Sequence, residues 1–199
     1  MIKKQNYLKH AIVLFLLLLL MQPGRACAAY ENVEFSSLTN HDGLTNSQVG
    51  AILKDTRGYI WFGTQSGLCR FDGFRMKTFY YSNTDDKSLP NNSVDELQQD
   101  YDGNIWVHTS MGYSIYKYDE EQFDRKSEEW LKNIHVQGPP YKLLIDKDKN
   151  MWIAVYGQGL YYHNAKIKNT YLFKFTKKAQ PGCLKEGNIS KITEVDGDA

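Results

Sequence analysis

The chain has 199 residues, 24 basic and 23 acidic side chains, and is 42% hydrophobic and 14% aromatic. Its three cysteines are too few for a disulfide-dense scaffold. The near balance of charge gives no basic footprint for nucleic acid, and no long like-charge run marks a disordered tail.

Lys3, Lys4 and Lys9 precede eleven unbroken apolar residues, Ala11 to Met21, then the helix-breaking Gln22-Pro23-Gly24-Arg25 and the small-x-small triplet Ala26-Cys27-Ala28. Charge, apolar core and cleavage site in that order read as a secretory signal peptide over residues 1–28, cut after Ala28. Eleven apolar residues fall short of the roughly 17–25 that span a bilayer. A lipoprotein anchor at Cys27 is disfavoured, because Gly24-Arg25-Ala26 lacks the apolar residues expected before such a cysteine. Without Lys3, Lys4, Lys9 and Arg25, 20 basic residues face 23 acidic ones, a net charge of about −3. The mature part keeps Cys69 and Cys183, far apart and in no metal-ligand spacing. An exported protein is able to join them, and two separate thiols fit equally well.

The rest of the chain repeats itself. Trp61, Trp106 and Trp152 lie 45 and 46 residues apart, each six residues after an aspartate: Asp55, Asp100 and Asp146. The copies read Asp55-Thr-Arg-Gly58-Tyr-Ile-Trp61-Phe-Gly-Thr, Asp100-Tyr-Asp-Gly103-Asn-Ile-Trp106-Val and Asp146-Lys-Asp-Lys-Asn-Met-Trp152-Ile. A period of this size is the mark of a repeat architecture. In the first copy, Val49 to Lys54 alternates as a strand does. Asp55 to Gly58 is turn chemistry, with Asp bonding its own backbone and Gly accepting positive φ. Ile60-Trp61-Phe62 is aromatic and β-branched, hence strand again. A second turn at Gln65–Gly67 leads to Leu68–Phe71, and Lys77–Tyr80 makes a fourth strand.

Four strands per period predict an all-β fold of four-stranded antiparallel β-propeller blades. The blades are expected at about 45–88, 89–138 and 139–187, with a fourth starting at 188: some three and a half blades, an incomplete propeller. The opening of that fourth copy, Lys191 to Ala199, stops before its tryptophan, so the chain reads as a piece of something longer. A short helix fits within 119–132. Three and a fraction blades leave strand edges open, an association hazard. The strand expected at Asn32–Phe35 would complete a last blade lying elsewhere. Residues 29–199 alone are therefore expected to express poorly or associate, and a cooperatively melting monomer would contradict that.

The repeat residues have structural readings. A bulky aromatic recurring at one place in every blade fills the gap between blades. Asp100-x-Asp102-x-Asn104 and Asp146-x-Asp148-x-Asn150 begin like a calcium loop. Such a loop then needs Gly at position 6 and Glu at position 12, and Ile105 or Met151, then Met111 or Gln158, stand there. His41, His108, His135 and His163 show no zinc spacing. His108 replaces the Gly63 and Ala154 of the other copies, as loose packing in a strand would allow. No Gly-x-Ser-x-Gly elbow occurs. No catalytic residue, metal or cofactor is assigned.

The repeat segments from Asp55, Asp100 and Leu144, together with the lead-in His41-Asp-Gly-Leu-Thr-Asn-Ser-Gln-Val49, resemble the two-component regulator propeller repeat. Copy three departs most, lacking the turn glycine. Proteins with this start look like the hybrid sensor histidine kinases of polysaccharide-degrading Gram-negative bacteria. The resemblance implies a periplasmic, non-catalytic module, part of a larger inner-membrane sensor chain that dimerises. It also implies an oligosaccharide ligand released from complex glycans. None of the kinase or DNA-binding parts lies in this segment, and no membrane span lies in its mature part.

The loops at 65–67, 110–112 and 156–159, with the connections 81–92, 124–140 and 176–188, are expected on the face opposite the Asp turns. Loops on a rigid scaffold commonly carry binding, so Tyr81, Trp130 and Tyr156 are the candidate sugar-stacking residues, with Tyr80 and Tyr161 nearby. The alternatives are a propeller-type carbohydrate-active lyase or hydrolase, or a protein-interaction scaffold.

Overall fold

The computed structural model describes residues 36–177, 181, 183–185 and 189–194. The signal-peptide reading of residues 1–28, the strand expected at Asn32–Phe35 and the final residues of the fourth copy lie outside them.

Three antiparallel sheets follow one another along the chain. The first is β1 (Val49–Lys54), β2 (Ile60–Thr64), β3 (Gly67–Phe71) and β4 (Met76–Phe79); the second is β5 (Val94–Gln99), β6 (Ile105–Thr109), β7 (Gly112–Lys117) and β8 (Gln122–Asp124). After the one α-helix among the described residues, α1 (Ser127–Asn133), the third sheet runs β9 (Pro140–Ile145), β10 (Met151–Val155), β11 (Gly159–Asn164) and β12 (Asn169–Thr176). The two-residue β13 (Leu184–Lys185) joins β12 in parallel. The four consecutive antiparallel strands of each sheet form a simple meander, the all-β blade pattern that the repeat predicts.

The repeat extends to irregularities. The ladder between the first two strands of each sheet slips at Gly50, Asp95 and Tyr141, between Val49 and Ala51, Val94 and Glu96, and Pro140 and Lys142. These are bulges at one register position, re-aiming the strand at its start.

Strand periodicity decides which neighbour each residue meets. Successive side chains point to opposite faces, so Ile105 and Val107 of β6 join one core while Trp106 between them joins another. The first core holds Trp61, Leu68, Val94, Tyr116 and Phe123, drawn from the first and second sheets. The second holds Trp106, Ile115, Leu143, Met151 and Ile153, from the second and third. Contact is close at Gly63, where an added Cβ would stand 2.6 Å from Val94 Cγ1. The middle sheet is thus buried on both faces.

Helix α1 is held by packing more than by capping. Its N-cap, Lys126, makes no side-chain cap bond, while Glu128 and Glu129 in its first turn and Lys132 in its last complement the helix dipole. Leu131 is fully buried in the second core. Beyond it the Ile134 carbonyl accepts from Thr170 Oγ1 at 2.5 Å, pinning the helix end to β12.

Candidate functional site

Each Asp turn does two jobs. Asp55 Oδ1 accepts the backbone N–H groups of Arg57 and Tyr59, both at 2.9 Å, while Oδ2 accepts the Trp61 indole N–H at 2.6 Å. Asp100 Oδ1 likewise takes Asn104 N at 2.9 Å, and its Oδ2 takes Trp106 Nε1 at 2.9 Å. In the third sheet Asp146 takes Asn150 N at 2.8 Å and Trp152 Nε1 at 3.3 Å. One carboxylate ties the turn and satisfies an indole that would otherwise be buried with a bare donor. The constant six-residue Asp-to-Trp interval is the sequence signal that joins turn chemistry to gap filling. Gly58 and Gly103 adopt φ +91° and +88° in these turns, and Lys149 takes the same place in copy three at φ +66°. A side chain in that region costs roughly 1–2 kcal/mol.

Between the first and second sheets the gap is sealed. Tyr116 meets Trp61 edge-on at 5.0 Å, and Tyr118 does so at 6.0 Å. The Tyr118 hydroxyl donates to Asp55 Oδ2. Burial first, then this carboxylate, raises the Tyr118 phenol well above its ordinary value. Arg57 lies 4.0 Å over the Tyr118 ring, and Arg70, 4.6 Å over Tyr59, donates to Tyr116 Oη and pairs with Glu121 at 3.1 Å.

Between the second and third sheets the same register positions differ. Ile105 pairs with Tyr116, and Met151, its counterpart, pairs with His163. His163 therefore occupies the place of Tyr116, and Ala165, two residues on, the place of Tyr118. The volume the tyrosines fill in the first gap stays open here as a cleft of about 270 Å³. Its walls are the Asp100-Tyr101-Asp102 turn, Trp130 and Asn133 of α1, and Lys149, His163, Ala165 and Lys168. Trp130 packs edge-on against Trp106 at 5.1 Å.

His163 is 7% exposed and its Nδ1 is 2.9 Å from Thr170 Oγ1. Burial holds its pKa below the ordinary value, with the Asp102 charge pulling up and Lys168 pushing further down, so the ring is neutral at pH 7. Asp100 is shifted up by burial, against the hydrogen bonds from Trp106 and Asn104.

Elsewhere in this seam Tyr113 donates to Glu96 at 2.8 Å and accepts from Leu143 N at 3.1 Å, while Lys142 pairs with Glu96 at 2.8 Å. The Gln98 amide bridges Leu143 O and Ile145 N at 2.8 and 2.5 Å, a side chain standing in for a strand. His108 sits in no loose site: its Nδ1 is 2.6 Å from Asp95 and its ring lies 4.4 Å from Tyr113.

The three candidate sugar-stacking residues lie in three environments. Trp130 lines the cleft. Tyr81, 47% exposed, has its backbone N–H on Asn92 and the Arg125 guanidinium 5.5 Å over its ring. Tyr156, 61% exposed, stacks on Tyr141 at 4.1 Å. Neither belongs to the cleft walls. Tyr80 is exposed, and Tyr161 is buried in the second core. No motif in the sequence marks the cleft, because it comes from the small side chain of Ala165. Cys69 is a buried free thiol facing Thr45, and Cys183 is also free. Among the described residues no group of three His, Cys, Asp or Glu is placed to hold a metal ion, and no helix is long and apolar enough to cross a membrane.

The two-component regulator propeller family model matches residues 43–66 and 88–111, the opening halves of the first two sheets. Those two matched segments each hold one Asp-to-Trp interval, Asp55 to Trp61 and Asp100 to Trp106. The chain is similar to a histidine kinase of Formosa agariphila, 41% identical over 61 residues, which is 31% of this chain and 4% of that protein. Among solved structures it is similar to the extracellular domains of two hybrid two component systems of B. thetaiotaomicron. One matches at 18% identity over 69% of this chain and 26% of that one, TM-score 0.35; the other at 16%, 70% and 27%, TM-score 0.40. Virginiamycin B lyase from Staphylococcus aureus matches at 14% identity over 75% of this chain and 46% of its own, TM-score 0.38.

Proposed function

We propose that this chain is part of the extracytoplasmic sensor region of a hybrid two-component histidine kinase, where it recognises a glycan-derived oligosaccharide without transforming it. The match of its first two Asp–Trp repeats to the regulator propeller family carries the reading. The histidine kinase likeness supports the output, and the leader at residues 1–28 supports export. Within such a sensor the sheets form a rigid frame, and ligand binding acts through the geometry of a dimer of the whole protein. Tyr81, Trp130 and Tyr156 are the aromatics proposed to meet sugar.

Calorimetric titration of the purified protein with an oligosaccharide panel, with product analysis of the same mixtures, tests this. Saturable binding with unchanged sugars is expected. New reducing ends or unsaturated products would overturn the non-catalytic reading, and no binding by any member would overturn the saccharide. N-terminal sequencing of exported material is expected to begin at Ala29; a start at Met1 would overturn export by this leader.

A further inference from the structure

The second seam carries more unspent polar groups than packing requires. Trp61, Trp106 and Trp152 each give their indole N–H to an aspartate. Trp130, the tryptophan outside the repeat, donates to no partner among the described residues, and it lines the cleft. His163 engages Nδ1 with Thr170 and leaves Nε2 without a partner. Every fully enclosed side-chain nitrogen and oxygen among the described residues has a hydrogen-bond partner, so Nε2 is not fully enclosed, and His163 lines the cleft. The Asp102 carboxylate and the Lys168 ammonium complete the rim, and neither makes an ion pair among the described residues. Tyr101, 55% exposed, offers a second aromatic face.

These groups select a ligand class. Beside the two imidazoles of the lining, His135 and His163, the carboxylates of Asp100 and Asp102 balance the ammoniums of Lys149 and Lys168, which gives no preference to an ion. Aromatic faces with a few convergent donors and acceptors in a concave site are the pattern of a small-molecule pocket. Stacking on Trp130 and Tyr101, with hydrogen bonds of both senses around the edge, suits a ring bearing hydroxyl groups, each both donor and acceptor. The volume, about 270 Å³, lies just below the roughly 300–1,000 Å³ usual for ligand sites and suits one or two rings.

We propose that the cleft between the second and third sheets binds an uncharged saccharide of one or two rings, stacked on Trp130 and Tyr101 and hydrogen-bonded by the Trp130 indole, His163, Asp102 and Lys168. The site exists because Ala165 stands where Tyr118 closes the equivalent gap. It deepens the sensor reading above and rests on it for the saccharide class.

The decisive variant is Ala165→Tyr, which rebuilds the seal of the first seam and places a hydroxyl near Asp100. Saturation-transfer NMR and calorimetry on the full chain, with methyl β-glucoside, methyl β-galactoside, cellobiose and maltose as neutral probes and glucuronate as the anionic one, give the readout. At least one neutral probe is expected to bind. Ala165→Tyr is expected to weaken it roughly tenfold or more, a loss of about 1.4 kcal/mol, while the melting temperature holds or rises. Trp130→Phe, which keeps a ring but removes the donor, is expected to weaken it less, and it decides the matter should Ala165→Tyr fail to fold. Unchanged affinity in both variants would overturn the cleft and leave the sensor reading standing. Tighter binding of glucuronate, lost in Ala165→Tyr, would overturn the uncharged class. No binding of any probe, alongside a longer oligosaccharide from the panel above that binds, would overturn this site alone; silence of both sets would overturn both readings.

Discussion

Toward the first sheet the middle sheet presents Tyr116 and Tyr118; at the same two register positions the third sheet presents His163 and Ala165 to the middle one. The two seams share the Asp–Trp bond, the bulged first strand and an apolar centre. They differ at the rim. In the first, a tyrosine hydroxyl reaches the aspartate and arginines cover the rings. In the second, the rim opens onto helix α1. A repeat thus keeps its frame in the positions that bond the turn to the indole, and is free to vary function in the positions that close the gap.

Substitutions at the indoles test the shared part with the largest effects. Trp61→Ala and Trp106→Ala, each removing a side chain no more than 1% exposed, are expected to cost about 3–5 kcal/mol. Trp152→Ala removes a side chain only partly buried, tilted against Tyr162 and stacked on Phe173, and is expected to cost less, about 2 kcal/mol. Urea midpoints of the three variants give the comparison, and equal losses would show that the indoles do not act by inter-sheet burial.

The difference between seams is sharpened at Tyr118. Tyr118→Phe keeps the ring and removes the donor to Asp55, for an expected loss of about 1 kcal/mol. Tyr118→Ala, which makes the first seam resemble the second, is expected to cost about 2–3 kcal/mol. Little difference between these two would mean that the hydroxyl, not the ring, seals the gap.

At Lys149, replacement by Gly relieves a positive φ of +66° but removes the ammonium bond to Gln99 O at 3.0 Å. The two effects are each about 1 kcal/mol, so the net change in urea midpoint is expected to be small. A loss above about 2 kcal/mol would mean the ammonium bond matters more than the strain.

A modest effect is read in pH. Burial alone would raise Glu96, but the Lys142 ammonium and the Tyr113 hydroxyl outweigh it and hold the carboxyl below its usual value. A carboxyl lowered in the folded state stabilises above its unfolded pKa of about 4.3, and the gain is lost as pH falls through the folded value. Glu96→Gln is therefore expected to cost about 0.5–1 kcal/mol at pH 7 and nothing near pH 2. Asp100, raised by burial, acts with the opposite sign: its stability contribution falls as pH rises from about 3.9 through its folded value. Denaturant midpoints of Glu96→Gln against the unaltered protein from pH 2 to 7 read the first effect, and a pH-independent difference would remove the ion pair from the account.

The amino-acid order by itself determined the blade. Period-two alternation and Asp-Gly turns are local physics, fixed within a few residues, so the four-strand units, a short helix expected within 119–132 and found at Ser127–Asn133, and the interval between tryptophans were all legible. The Asp-to-indole bond was present as a spacing but invisible as a contact, since only the twist of the hairpin brings position six back over the turn. Only the tertiary structure decided the cleft. An alanine at 165 carries no signal of its own; it means a gap only when Asp100, 65 residues earlier, and a helix between them are packed across from it, and that distance is closed by the burial of Trp106, Leu131 and Met151 in one core. Side chains that fill space announce themselves in a sequence, while the space left by a small one appears only when its neighbours arrive.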